Sequence, residues 1–238
     1  MKSFIPDKRS FWDHADVLRG IILRSAGLWL VATLVLFSVS DRAIDYAARH
    51  AGSLIFLSPV EAFALRLHVA MLLGVLTAGP VCLFYLIRFV GEGLDKKEHR
   101  LLGWMVFAMA GLFCSGVVFA DRVLVPFSVR FLLSFQSPLL QPMLTAGLYL
   151  SFYSSLVLFC GVCFNLPLGL MVLGRLGLVT RRSLEQYRRH VLVGILIVSA
   201  LLTPPDVVSQ MFLAGPFYIL YEIGIWGVGL WGTTGESL

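Results

Sequence analysis

Residues 191–230 read VLVGILIVSALLTPPDVVSQMFLAGPFYILYEIGIWGVGL, and Asp206 and Glu222 are the only charged residues in the stretch. Two apolar runs, 191–203 and 210–230, are separated by Thr203-Pro204-Pro205-Asp206. A proline pair removes two backbone donors and stops a helix. Uncharged runs of this kind belong in lipid, where no water satisfies the backbone, so each must close its hydrogen bonds internally as a helix. The reading is a helix, a sharp turn and a second helix, all within a bilayer. The first of the two is short: 13 residues at 1.5 Å each reach only about 20 Å, against a hydrocarbon core of roughly 30 Å. Such a helix thins the bilayer around it.

The same signal recurs upstream at 20–39, 62–90, 101–120 and 146–174, each run flanked by charges, prolines or glycines. That makes six candidate spans in one membrane domain over 1–238, an all-α polytopic protein. Composition agrees. Apolar residues are 58% of the 238, charged residues 14%, and mean hydropathy is +0.85, which leaves too little polar surface for a soluble domain. The unbroken runs exclude a β-barrel. The net charge of +5 falls in clumps between apolar runs, a topology signal rather than a nucleic-acid surface. Run 20–39 is too long for the apolar core of a cleavable signal and is expected to stay as the first helix.

Orientation follows from the basic residues. The N-terminal segment and the 91–100 and 175–190 loops, with residues next to them, hold Lys2, Lys8, Arg9, Arg19, Lys96, Lys97, Arg100, Arg175, Arg181, Arg182, Arg188 and Arg189. The alternate connections hold Arg42, Arg49, Arg122 and Arg130. Twelve against four places both termini in the cytoplasm.

Chemistry-bearing residues are few. Cys82, Cys114, Cys160 and Cys163 lie inside apolar runs, and the Cys160-x-x-Cys163 pair has neither a second pair nor a nearby histidine, so packing is expected and no metal or cofactor. The five histidines never cluster, and no zinc-protease, nucleophile-elbow or phosphate-loop motif occurs, so no enzyme is indicated. Ala70, Gly74 and Ala78 form a small-residue stripe for close helix approach. Of the intramembrane ionisable residues, Arg24, Arg66 and Arg88 sit near span ends and snorkel, whereas Glu222 lacks a structural reason. Asn165, beside Pro167, is expected to hydrogen-bond across helices. In the 91–100 loop, Asp95 and Glu98 share a face if the segment is helical, and a carboxylate there can take the bidentate fork of an arginine from a partner.

The run Leu202-Thr203-Pro204-Pro205-Asp206-Val207-Val208-Ser209-Gln210, followed by Pro216 and Leu220-Tyr221-Glu222-Ile223-Gly224, resembles the TatC family, the multispan receptor of the twin-arginine protein translocase. Weaker matches run from Ser58-Pro59-Val60-Glu61-Ala62-Phe63 through Pro80, Phe89, Leu94 and Glu98 to Phe159-x-Gly161-x-x-Phe164-x-x-Pro167, so the resemblance covers roughly 12–230. It implies six helices with both ends in the cytoplasm of a bacterial inner membrane. It implies binding of the Arg-Arg signal peptide of folded cargo, assembly of an oligomeric translocon with TatB-like and TatA-like single-span partners, and use of the proton-motive force. Glu98 is the implied signal-peptide carboxylate, grouped with Asp13, Asp16, Arg19, Phe89 and Leu94. Pro59, Glu61, Phe63, Pro80, Asn165, Pro167, Pro204, Pro205, Asp206, Gln210 and Glu222 are assigned to structure and partner contacts.

The departures are specific. Val17 in His14-Ala15-Asp16-Val17-Leu18-Arg19 stands where the family carries an acidic residue; Asp16 is one position early, and Asp13, one turn before Val17 on the same face, is the preferred substitute. Asn165 occupies the place of an intramembrane glutamate, and Glu92 that of a proline. Two other classes remain open: a small-molecule secondary transporter, for which no internal repeat is visible, and a degenerate relative that only scaffolds other subunits.

Overall fold

The computed structural model describes residues 8–52, 54–90, 99–134, 144–202 and 207–231, with side chains outside 8–15, 86–90, 99–104 and 231. It is all-helical apart from one isolated parallel bridge between Ile55 and Thr145.

Helix α1 (Lys8–Leu36) passes through a 3-10 turn, Phe37–Val39, into α2 (Ser40–Ala48). Helix α3 (Pro59–Val90) starts with Ser58 as its cap: the Ser58 hydroxyl accepts from the Glu61 N–H at 3.2 Å, and Pro59 sits at the first helical position, where no donor is needed. Helix α4 (His99–Phe119) continues through a π-helical turn, Ala120–Leu124, into α5 (Val125–Leu133). Helices α6 (Ala146–Cys163) and α7 (Leu166–Arg175) form one bent rod. The break is at Asn165, because Pro167 lacks the N–H that would carry the ladder across. Pro80 and Pro216 stay inside α3 and α10 (Val207–Trp231). Helix α7 ends in a Schellman turn, with Gly177 at φ +71°, the Leu178 N–H on the Leu173 carbonyl at 3.0 Å and the Gly177 N–H on Gly174 at 3.1 Å. A short helix α8 (Arg181–Gln186), capped by Thr180, leads into α9 (Arg188–Leu202).

Five helical stretches are long and apolar enough to cross a membrane: Asp16–Ala48, Pro59–Tyr85, Met105–Leu133, Ala146–Arg175 and Val207–Leu230. They correspond to the expected spans 20–39, 62–90, 101–120, 146–174 and 210–230, with α4–α5 running well past 120. The remaining expected span, 191–203, is α9, whose 15 residues reach about 22 Å.

The core joins α2, α3, α4–α5, α6 and α10 around Leu65, Val69, Leu124, Val125, Leu150, Leu156, Val157, Leu213 and Phe217. Small residues set the closest approaches. A Cβ on Gly116 would strike the Cys160 carbonyl, one on Gly227 would overlap Met171, and one on Gly224 would lie 2.6 Å from Leu170 Cδ1, so α4 meets α6 and α10 meets α7 almost backbone to backbone. Ala70, Gly74 and Ala78 are buried as the small-residue stripe requires.

Candidate functional site

Helices α1 and α3 set the first candidate region. Arg66 Nε lies 2.7 Å from Asp41 Oδ1. Eight residues back along the chain Thr33 abuts Gly74, eight residues on along α3, and the Trp29 indole donates to the Met71 carbonyl at 3.2 Å. In the Asp41–Arg66 and Thr33–Gly74 pairs the number falls along α1–α2 as it rises along α3, so the two rods run antiparallel. Extending that register by about 14 residues, roughly 21 Å, brings Arg19 and Asp16 level with the final turn of α3. Both are exposed, as is Val17. Asp13 and Phe89 fall within α1 and α3, at positions whose side chains are not described. Leu94, Glu98, Pro204, Pro205 and Asp206 lie outside the described residues. The Arg66 side chain is half exposed and pairs with Asp41, which α2 presents beside it.

The opposite end of the bundle is closed by a cap. The Ile55 N–H donates to the Leu144 carbonyl at 3.1 Å and the Ala146 N–H to Ile55 at 3.0 Å. Glu61 ties the two loops together: Oε2 accepts from the Leu57 N–H at 2.7 Å and Oε1 from the Gly147 N–H at 3.2 Å. Glu61 is therefore structural. Pro59 and Phe63 are exposed beside it, Phe63 at 62%. Next to the cap, Asp121 is buried, yet its carboxylate accepts the Tyr46 hydroxyl at 2.7 Å and the Tyr153 hydroxyl at 2.8 Å, while Tyr149 donates to the Ala47 carbonyl at 2.7 Å. The π-helical turn rotates Asp121 inward to meet both tyrosines. Reading along the chain misses this hub; the available signal was Asp121-Arg122 inside an otherwise apolar stretch just before Pro126. Also missed was His68 on α3, whose Nε2 lies 3.0 Å from Ser154 Oγ on α6.

Asn165 is buried, but its amide donates to the Gly161 carbonyl of its own helix at 3.0 Å, and Oδ1 has no hydrogen-bond partner. The expected bond across helices gives way to this one because the bend before Pro167 frees the preceding carbonyls. Pro167 itself is buried against α10, its Cα 3.3 Å from where a Gly224 Cβ would stand. Glu222 has a structural partner after all: Arg188 Nε and Nη2 lie 2.9 Å from its two carboxylate oxygens. Gln210 Nε2 donates to the Leu196 carbonyl at 2.9 Å, pinning the short α9 to α10. At the base of α9, the Tyr221 hydroxyl donates to the Leu184 carbonyl at 2.8 Å, and Arg181 bonds Glu185 at 2.8 Å, holding that exposed carboxyl below its ordinary pKa. Cys160 and Cys163 are free thiols, with Cys160 fully buried in the core. Among the described residues, no group of three or more His, Cys, Asp or Glu is arranged to hold a metal.

Known proteins are similar to this chain in sequence and fold. The family model for the Sec-independent protein translocase protein (TatC) matches residues 13–216. A Sec-independent protein translocase protein TatC of Carboxydothermus hydrogenoformans is 31% identical over 221 residues, covering 91% of each chain. A TatC of Helicobacter pylori strain J99 is 34% identical and covers 89% of this chain and 86% of its own. A chloroplastic TATC of Arabidopsis thaliana is 32% identical over 97% of this chain and 70% of its own. The crystal structure of a twin-arginine translocase receptor, TatC, superposes with a TM-score of 0.82 at 29% identity, covering 91% of this chain and 98% of that one.

Proposed function

Because the chain belongs to the TatC family of Sec-independent protein translocase components, we propose that it is the twin-arginine translocase subunit that receives Arg-Arg signal peptides of folded cargo and nucleates the translocon. The supporting observation is the antiparallel register of α1 and α3, which sets Asp16 and Arg19 level with the end of α3, next to the segment that carries Glu98. In this reading Glu98 takes one guanidinium, with Asp13 or Asp16 replacing the acid absent at Val17, and Phe89 and Leu94 flanking the peptide. A guanidinium fork on a carboxylate at the membrane surface discriminates against lysine, whose ammonium cannot pair in two parallel bonds. Loss of one such contact costs about 1.5–3 kcal/mol, or roughly ten- to a hundred-fold in affinity.

The short α9 counts as the sixth crossing, with the Arg188–Glu222 pair fastening its first residue and Gln210 its middle to α10. Both termini then face the cytoplasm of a bacterial inner membrane, as the twelve-to-four basic asymmetry demands. TatB-like and TatA-like single-span proteins are the proposed partners in an oligomeric complex driven by the proton-motive force. No nucleotide step is involved. Two assays test the proposal. A photo-crosslinkable twin-arginine peptide should label wild-type membranes strongly and Glu98→Ala membranes weakly; equal labelling removes Glu98 from the site. Complementation of a strain lacking its own TatC, scored by export of a folded cargo, should succeed, and should improve with Val17→Glu or Asn165→Glu. Complete failure of all three chains reduces the protein to a scaffold.

A further inference from the structure

The end of the α9–α10 hairpin combines a charged pair with two apolar grooves. Arg188 is the first residue of α9, one turn before the apolar run that opens at Val191, so its guanidinium lies at headgroup depth. Its partner Glu222 lines a shallow, open groove of about 540 Å³ along one face of α10, together with Tyr218, Ile219, Ile223 and Trp226. A second groove of about 340 Å³ begins at Val191 and runs inward past Gly194 and Val198, with Phe159, Cys163 and Phe217 as its other walls. Both volumes fall in the range of ligand clefts, about 300–1,000 Å³. Glu222 is the only charged residue lining either groove among the described residues. Tyr218 and Trp226 are the residue types that sit at a membrane interface.

The pair is incompletely covered: the Arg188 side chain is 40% exposed and that of Glu222 26%. It therefore presents one cation and one anion, side by side, to whatever fills the grooves. An anionic lipid such as phosphatidylglycerol would pair its phosphate with Arg188 but bring no cation to Glu222, leaving the site with a net negative charge. A choline headgroup matches both signs but offers Glu222 no N–H donor. An ethanolamine headgroup matches both, with its phosphate on the guanidinium N–H groups that Glu222 leaves open and its ammonium protons on the remaining lone pairs of the carboxylate. The larger groove holds Glu222 and the smaller opens at Val191, three residues from Arg188, so two chains joined at one headgroup on the pair reach both, which a single helical rod about 10 Å across does less well.

We infer that the Arg188–Glu222 pair and its flanking grooves form a site for a zwitterionic phospholipid of the phosphatidylethanolamine class, with one acyl chain in each groove. The site uses neither Glu98 nor the α1–α3 end of the molecule, so it stands or falls apart from signal-peptide binding.

The test is lipid retention by the purified full-length protein, read by native mass spectrometry after equilibration with phosphatidylethanolamine, phosphatidylglycerol and phosphatidylcholine of matched chains. The wild type should keep the ethanolamine lipid about ten-fold over the choline lipid, the ratio expected when charge-assisted hydrogen bonds to one carboxylate are lost. Glu222→Gln should erase that preference and raise phosphatidylglycerol retention, because Arg188 loses its anion. Gly194→Leu, which fills the smaller groove and leaves the pair intact, should lower retention of all three lipids. Equal retention of the three by wild type, a preference for phosphatidylglycerol in wild type, or an unchanged ethanolamine preference in Glu222→Gln would overturn the inference. So would occupation of the groove at Gly194 by a crosslinked single-span helix in the intact complex, with no lipid preference.

Discussion

Replacing Asp121 by alanine strips a buried acceptor from two tyrosines that come from different elements, Tyr46 on α2 and Tyr153 on α6. Each bond is a short hydroxyl-to-carboxylate contact, worth about 1.5–3 kcal/mol when the abandoned donor stays dry. Tyr46 is 37% exposed and regains water, so its bond counts for little; Tyr153 is more covered and counts nearly in full. Removing a buried charge returns part of the loss. The expected net cost is about 1–2 kcal/mol, which for a chain of this size lowers the midpoint of thermal unfolding by roughly 2–8 °C. Asp121→Asn keeps one carbonyl acceptor and should fall about halfway. The assay is thermal unfolding of the purified protein in one detergent, run for Asp121→Ala, Tyr153→Phe and the double variant. If the hub is one unit, the double variant is no worse than Asp121→Ala alone. A midpoint within 1 °C of wild type, or additive effects of the two substitutions, would refute the reasoning.

Glu61→Ala removes the acceptor for the Leu57 and Gly147 N–H groups, so hydrogen exchange at those two amides should accelerate by ten-fold or more while exchange in α10 is unchanged. Gly227→Leu drives a side chain into Met171; separation of α7 from α10 should cost about 1–3 kcal/mol, seen as a lower yield of folded monomer in detergent, whereas Gly20→Leu, with open space around it, should be neutral. At α8, Arg181 holds Glu185 below the ordinary carboxylate value of 4.5, so its contribution is present above that pH and is lost as pH falls through the depressed folded value. Exchange protection of α8 should therefore fall on acidification in wild type, and the fall should be smaller in Glu185→Gln.

Spans were legible because lipid imposes a single rule, that an apolar run must be helical, and the rule needs no knowledge of neighbours. The bend at Asn165 was legible in part: Pro167 announces it, but the choice of the Gly161 carbonyl as the amide's partner depends on the local geometry of the bend. Ser58-Pro59-Val60-Glu61 carries a capping-box pattern that explains the start of α3, yet Glu61 spends its carboxylate on Leu57 and on Gly147, 86 residues away. Asp121 and Glu222 were opaque for the same reason, since their partners lie 75 and 34 residues off, and only the packing of α2, α6 and α9 decides who meets whom. Spacing in the 91–100 loop offers Asp95 and Glu98 alike as carboxylates for an arginine, and only the family likeness singles out Glu98, since no periodicity distinguishes it from a solvated loop acid.

The contact of Thr33 with Gly74 works as a notch. Most of α1 faces outward, and what holds it is one half-buried stripe of Ile21, Ser25, Trp29, Ala32 and Thr33 against α3, tightest at the notch and at the Trp29 bond to Met71 beside it. A fulcrum resists sliding and permits rocking. With the arm bearing Arg19 and Asp16 about 21 Å from the fulcrum, a tilt of 10° sweeps those residues through about 4 Å, more than the length of a hydrogen bond. Filling the notch with Gly74→Ala should therefore disturb the free end of α1 more than the core that Gly74 itself touches.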